Sequence, residues 1–389
     1  MTQGFGKKYF VFLLVFLGAL SAFGPFITDF YLPTLPAMAD IFNTSASMVQ
    51  LGLTASLLGI ALGQIFFGPL SDKYGRLPIM VWSLILFALS TVGCIYSPSI
   101  EMFDIFRFLQ GLGGAGGIVM SRSVATDCYS GRELAKVLAI VGAINGIAPV
   151  VAPVTGGIVA QSLGWQGIFW VLFAIGIVLM GMCVPFRESL PKENRVKGSV
   201  WKAAHGFVDV FKIPEFRRYV AVFGLAYGVL FTYISSASFI VQDHFGYSEI
   251  QFSLTFGTNA IIIAIGSGLA MKFKNMENAA LFSTAGMTIF SILLLISYFF
   301  TDSFLVYEGL TIISLFFLGF IFPSVTALGM ESGRKAVGAA SAVLGAVGFA
   351  CGGLVSPLVG IGNLMLTTYI LLVICSGLAT ALCLVKFRS

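Results

Sequence analysis

The sequence predicts an all-α integral membrane protein with twelve transmembrane helices in two pseudo-symmetric six-helix bundles. Three observations predict it. Of 389 residues, 58% are hydrophobic and 10% charged, whereas a soluble globular chain carries about 25% charged residues. The apolar residues gather into runs of about 20, the length of a helix that crosses a hydrocarbon core. The basic residues, read against those runs, collect on one side of the membrane. The 38 phenylalanines and 45 glycines fit the same class, with aromatic bulk toward lipid and small residues where helices touch.

The first run covers 10–34. It exceeds the apolar region of a signal peptide and lacks an A-x-A-like cleavage site, so it reads as a retained span. Runs follow at 46–70, 77–97, 101–123, 135–160 and 165–186. Residues 187–216 are hydrophilic and hold Arg187, Glu188, Lys192, Glu193, Arg195 and Lys197, with an amphipathic aromatic piece at Trp201–Phe211. The remaining runs are 217–241, 249–271, 279–299, 304–328, 336–360 and 364–385. The chain therefore divides into an N-terminal bundle (1–186), a cytoplasmic linker (187–216) and a C-terminal bundle (217–389).

Orientation follows from placing lysine and arginine inside. With the N-terminus in the cytoplasm, Lys7, Lys8, Lys73, Arg76, Arg122, Arg132 and Lys136 are cytoplasmic, and so are the cations from Arg187 to Arg218. Lys272, Lys274, Arg334, Lys335, Lys386 and Arg388 complete the set. Both termini are expected in the cytoplasm of a bacterium, with the chain in its inner membrane. The excess of 22 basic over 17 acidic residues is then a topology signal and not a nucleic-acid surface.

Several function classes drop out. The six cysteines are scattered without a CxxC pair, and His205 and His244 stand far apart. No metal cluster, cofactor motif or nucleophile–base pair is legible, so no enzyme is expected. No GxxxxGK[ST] loop occurs, which removes ATP as the direct energy source.

Arg107 is the one cation that falls inside a span. An ionised side chain at mid-bilayer costs at least about 2.5–3.5 kcal/mol, so it needs a partner or a polar cavity. Asp29 in helix 1 and Arg107 in helix 4 both lie roughly 8–9 Å below the outer boundary at 1.5 Å per residue. Equal depth and opposite sign make them candidate partners in proton coupling; the competing reading is that each caps its own helix or snorkels to the interface. Glu308 near the outer end of helix 10 is a weaker candidate of the same kind. Ser21, Pro25 and Asp29 share one face of helix 1, which Pro25 should kink and Pro33 and Pro36 should end. Gln110 and the run Gly111, Gly113, Gly114, Gly116 and Gly117 suit helix 4 to close backbone contact. Arg122 and Asp127 read as an ion pair near the inner surface.

At these residues the sequence resembles the major facilitator superfamily, and within it the bicyclomycin-resistance (Bcr/CflA) branch of drug/proton antiporters. The loop Gly68-Pro-Leu-Ser-Asp72-Lys-Tyr-Gly75-Arg76 is similar to the superfamily's cytoplasmic signature. Arg107-Phe-Leu-Gln110-Gly111 resembles its helix-4 motif. Gly142, Gly146, Pro149, Pro153, Gly156 and Gly157 resemble the antiporter motif of helix 5, and Asp29-Phe-Tyr31-Leu32-Pro33 resembles the acidic helix-1 motif of the branch.

Each motif has a physical role to test. Gly68 would permit close packing, Gly75 a tight turn, and Asp72 and Arg76 an i,i+4 clasp at the inner gate. The resemblance adds Arg122 and Asp127 to that clasp and gives helix 5 a bent, thin shape for gating. An offset of about 200 residues sets Gly68 opposite Gly268 and Asp72 opposite Lys272, so the second copy has lost its acid.

The resemblance also implies a cavity walled by helices 1, 4, 7 and 10. Its candidate lining is Tyr31, Asn145, Tyr227, Tyr233, Ser236, Phe239, Phe316 and Phe320, with Asn259 adding a hydrogen bond. An apolar, aromatic lining with few charges suits amphipathic drugs better than sugars or phosphates. The expected partners are a small-molecule drug, protons and the lipid bilayer, acting on a monomer. The runner-up is proton-coupled uptake or export of one specific metabolite by the same fold.

Overall fold

The computed structural model describes residues 7–195, 210–270, 272–334 and 337–384. Every regular element among them is helical. The first six spans are α1 (Lys7–Asp29), α2 (Ala46–Tyr74), α3 (Arg76–Ile95), α4 (Ile100–Cys128) and the two arms of Gly131–Met182, α5 (131–163) and α6 (165–182). Gly164 breaks those arms apart with φ 66°, a left-handed conformation that favours glycine. The second six are α7 (Pro214–Phe239), α8 (Glu249–Ala270), α9 (Met276–Phe300), α10 (Phe304–Ser332), α11 (Val337–Val355) and α12 (Leu364–Leu384).

Ten stretches of the described residues are long and apolar enough to cross a membrane. One of them, Lys136–Met182, holds both α5 and α6. α4 is the other span not counted separately, because Arg107, Gln110 and its glycines dilute its apolar character.

By internal contacts the chain forms two units, and the first holds Met1–Tyr31 and Ala55–Ala203. Within it α4 is the spine. A methyl group on Gly111 would fall on the Ser56 carbonyl of α2, and one on Gly59 would fall on the Phe108 carbonyl of α4. Gly113 lies equally close to α3, where a Cβ would stand 2.5 Å from the Phe87 nitrogen. The glycine run of α4 therefore does what its composition suggests: two neighbouring backbones, those of α2 and α3, approach it where side chains are missing. Gly68 is different. A Cβ there would meet Val119 at 3.8 Å, an ordinary contact, so close packing is not what this position supplies.

The second unit holds Leu32–Thr54 and Ala204–Ser389. Its α8 and α10 repeat the glycine exchange, with Gly319 against the Ile263 carbonyl and Gly266 against the Phe316 carbonyl. These pairs sit 208 and 207 residues beyond Gly111 and Gly59, a physical trace of the internal repeat.

Residues 32–54 fall in this second unit, whereas the sequence reading set them in the N-terminal bundle. Hydrogen bonds explain the difference. Gln242 Nε2 donates to the Pro33 carbonyl (3.0 Å), Gln50 Nε2 to the Ser235 carbonyl (3.1 Å) and Ser47 Oγ to the Pro357 carbonyl (3.0 Å). Helix 1 ends as expected: α1 stops at Asp29, a 3₁₀ turn covers Leu32–Thr34, and a short helix with Pro36 in its first turn covers Leu35–Ile41. Residues 201–209 of the expected amphipathic piece Trp201–Phe211 lie outside the described residues.

Candidate functional site

Arg107 is fully buried, and Asp29 is 4% exposed. The two are not an ion pair. Arg107 Nη2 donates to the Ile27 carbonyl (2.8 Å) and to Ser56 Oγ (3.1 Å), and Nη1 donates to Gln110 Oε1. Gln110 Nε2 in turn donates to Thr91 Oγ1 at 2.8 Å. The guanidinium carbon lies 4.3 Å from the centre of the Tyr31 ring and 5.6 Å from that of Phe169, distances at which a cation is held by an aromatic face.

Asp29 accepts instead from the hydroxyl of Thr28, at 2.7 Å. The reason is angular. Ile27 faces α4 and packs on Gly114, and two residues further along a helix is about 200° round its axis. The expected partnership of Asp29 with Arg107 is therefore indirect: the cation grips the backbone two residues before the acid and the ring two residues after it. Arg107 Nε keeps one buried donor that no group uses. Sequence reasoning missed Ser56, Thr91 and Phe169, which carry no motif. It also missed Asp104, a buried carboxyl oxygen without a partner one turn before Arg107.

The aromatic candidates separate. Tyr227 on α7 stands among Phe223 (4.9 Å between ring centres), Phe322 (5.3 Å) and Phe349 (5.5 Å). Tyr227, Phe322 and Phe349 are partly exposed. Phe316 and Phe320 do not join this group. They pack on each other, and Phe320 also meets Phe282 and Phe273, because Phe322 is about 200° round α10 from Phe320. Tyr31 serves Arg107. Tyr233 receives a hydrogen bond from Asn259 Nδ2 (2.9 Å) and stacks on Phe256. Ser236 donates back to the Thr232 carbonyl of its own helix (2.8 Å), and Phe239 is buried near the end of α7. Asn145 on α5 is part-exposed.

The cluster around Arg76 is larger than the motif suggested. Arg76 binds Asp127 through Nε (2.8 Å) and Nη2 (3.2 Å), and its Nη1 reaches Asp72 Oδ1 and Ser71 Oγ, each at 2.6 Å. Ser189 Oγ also donates to Asp127, at 2.8 Å. Glu188 accepts the backbone N–H groups of Arg76 (2.9 Å) and Leu77 (3.2 Å), capping the first turn of α3 where free N–H groups favour an anion. Gly75 adopts φ 106°, and a Cβ there would lie 2.6 Å from both Glu188 and Arg195. The pairing of Arg122 with Asp127 is corrected: Arg122 is exposed, and Asp127 turns to Arg76.

The α5 motif also divides. Gly156 is buried against α1, where a Cβ would meet the Phe30 carbonyl group, and Pro153 and Gly157 are buried near it. Pro149 is part-exposed, and a methyl group added at Gly142 or Gly146 would have nothing within 4 Å. Replacing either open glycine by alanine should stabilise the helix by about 0.5–1 kcal/mol, read as a small rise in melting temperature in detergent.

Residues 11–360 match the profile of the Major Facilitator Superfamily. The chain is 35% identical over 360 residues to the uncharacterised MFS-type transporter YdgK of Bacillus subtilis, covering 90% of this chain and 89% of that one. It is 30% identical over 367 residues to a bicyclomycin resistance protein homologue of Haemophilus influenzae, covering 91% and 89%. Among solved structures, a bacterial homologue of the human lysosomal transporter Spinster, inward-facing and occupied, superposes with a TM-score of 0.78 at 18% identity over 97% of each chain.

Proposed function

Because this chain belongs to the major facilitator superfamily, and is thus a multi-pass membrane transporter and not an enzyme, we propose that it exports amphipathic drugs or antibiotics across the bacterial inner membrane in exchange for protons. Both termini lie in the cytoplasm on this reading. The observation that carries it is the buried carboxyl of Asp29 at the broken end of α1, bracketed by the Arg107 contacts to the Ile27 carbonyl and the Tyr31 ring.

A proton arriving from outside adds to the Asp29 carboxylate and neutralises it. The end of α1 then keeps its Arg107 contacts without a charged neighbour on Asp29. Loss of that proton to the cytoplasm restores a buried anion, for which the unused Nε–H of Arg107 is the available donor. Alternating access then draws on the charge state of one carboxyl. The partly exposed ring group around Tyr227 offers an apolar face to a drug. The Arg76–Asp127–Asp72 clasp acts as the cytoplasmic latch. Relatedness to a bicyclomycin resistance homologue supports the substrate class.

In proteoliposomes, bicyclomycin, phenicols, sulfonamides and lipophilic cations should each be tested for drug-driven proton movement. Asp29→Asn should abolish that movement, while Asp104→Asn should retain it. Coupled exchange undiminished in Asp29→Asn would remove the acid from this role. In everted vesicles, drug accumulation driven by an imposed proton gradient would mean efflux, and its absence would favour the metabolite reading.

A further inference from the structure

The first unit carries a groove that none of the roles above uses. It lies where α3 ends and α6 begins, and it encloses about 340 Å³ between Ile95, Tyr96, Leu163, Gln166, Gly167 and Trp170. Further along, α3 and α6 touch closely, since a Cβ on Gly176 would stand 2.9 Å from the Phe87 ring. At the groove two large rings meet instead: Tyr96 and Trp170 stand edge to face with their centres 6.3 Å apart. Gly164 turns the chain into α6 with φ 66°, and Gly167 leaves room for the Leu163 side chain to lie against it. Ile95 and Gly167 are buried, whereas Tyr96, Gln166 and Trp170 are exposed. The floor is apolar, and the rim carries three uncharged polar groups: a phenol hydroxyl, an amide and an indole N–H.

Two exposed stripes lead away from the groove. On α3, Trp82, Leu89 and Tyr96 are 68%, 66% and 70% exposed. On α6, Trp170 and Ile177 are exposed at the same spacing. Seven residues are nearly two helical turns, so each stripe keeps to one face. No charged residue occurs from 77 to 96 or from 165 to 186, and in a membrane transporter such a face meets acyl chains. From Tyr96 back to Trp82 the stripe runs about 21 Å at 1.5 Å per residue, longer than one leaflet of a hydrocarbon core about 30 Å thick.

Size and charge select the occupant. Pockets that enclose small molecules measure about 300–1,000 Å³, and this groove stands at the lower end. It suits a molecule that seats only its polar neck there and lays its chains along the stripes outside. The hydroxyl, amide and indole N–H all donate to carbonyl oxygens. Tyrosine and tryptophan at helix ends sit at the level of the membrane–water interface, where the esters of a lipid lie. With no lysine or arginine in the lining, nothing there reads the charge of a headgroup.

We propose that this groove holds one diacyl glycerophospholipid, gripped at its ester carbonyls by Tyr96, Gln166 and Trp170, with an acyl chain lying on the α3 and α6 stripes. On the orientation proposed above, the lipid comes from the outer leaflet. The site depends neither on proton coupling nor on the class of drug.

Native mass spectrometry of the intact protein, released from nanodiscs, counts the lipids that stay bound. With dioleoyl-phosphatidylethanolamine, one lipid should remain at activation energies that strip the rest. Replacing its esters by ethers should lower that retention, and exchanging its headgroup for phosphatidylglycerol should not. Gln166→Trp, which fills the groove, should remove the retained lipid. Tyr96→Phe, which loses one hydrogen bond, should lower its occupancy about two- to tenfold. Both side chains are exposed, so both variants should melt as the parent does. Equal retention of ester and ether lipids, with Gln166→Trp unchanged, would reduce the groove to ordinary boundary lipid. Displacement of the lipid by tetraphenylphosphonium would make it a drug port, and a dimer that Gln166→Trp dissolves would give it to a second copy of the chain. Each of those three results would overturn the proposal.

Discussion

Asp127→Ala should lower the unfolding free energy by about 3–5 kcal/mol, and Asp72→Ala by no more than about 1 kcal/mol. Both acids bind Arg76, yet their surroundings differ. The Arg76 side chain is 7% exposed and Asp127 13%, whereas Asp72 is 43% exposed. A buried, two-pronged pair leaves an uncompensated charge when one partner is removed. An exposed pair hands its loss to water. Asp127 also anchors Ser189, so its removal frees the start of the linker. Chemical or thermal unfolding in detergent micelles measures the two variants directly. Equal effects would mean that burial does not set the strength of this clasp.

Gly111→Ala should destabilise the N-terminal unit by at least about 1–3 kcal/mol, the usual cost of forcing an extra methyl into a packed interior. The obstacle is backbone: the new Cβ would lie 2.8 Å from the Ser56 carbonyl carbon and 2.9 Å from its Cα. No rotamer change relieves that, so α2 and α4 must separate. Separation also pulls Ser56 away from Arg107, which it contacts through Oγ. The variant should therefore lose transport as well as folded yield. Gly68→Ala is the matched control, because its methyl meets a side chain at ordinary distance and should be nearly neutral. Thermal melts and size-exclusion profiles of the two variants make the comparison. A stable Gly111→Ala protein would show that the α2–α4 seam can spread.

Much of the fold was legible because the bilayer imposes simple rules. Length and apolarity mark a span, and the glycine run of α4 marks a seam without naming its neighbours. Where sequence reading stopped, the missing information was rotational or long-range. Depth along the membrane correctly put Asp29 and Arg107 at one level but said nothing of azimuth, and azimuth sends Arg107 to the Ile27 carbonyl. The same blindness could not show that Phe322, on the opposite face of α10 from Phe320, is the ring that packs beside Tyr227. Asp127 was read both as a partner of Arg122 and as a member of the Asp72–Arg76 clasp, and the second place is the one it takes. Gln110, three residues after Arg107, was readable as a helical neighbour. Ser56 and Glu188 were not, since contacts between distant segments leave no local pattern.

The cap on α3 has a consequence for how the protein is made. The N–H groups of Arg76 and Leu77 wait for a carboxylate that follows them by 112 and 111 residues. Until the ribosome has released the chain through Glu188, the start of α3 has only water to satisfy it. Closure of the first half's inner face is therefore a late event in synthesis. A nascent chain halted before the linker would carry six inserted helices and an unfinished hinge. A truncation that ends at Phe186 should accordingly be more readily proteolysed around Gly75 than one that ends at Arg195.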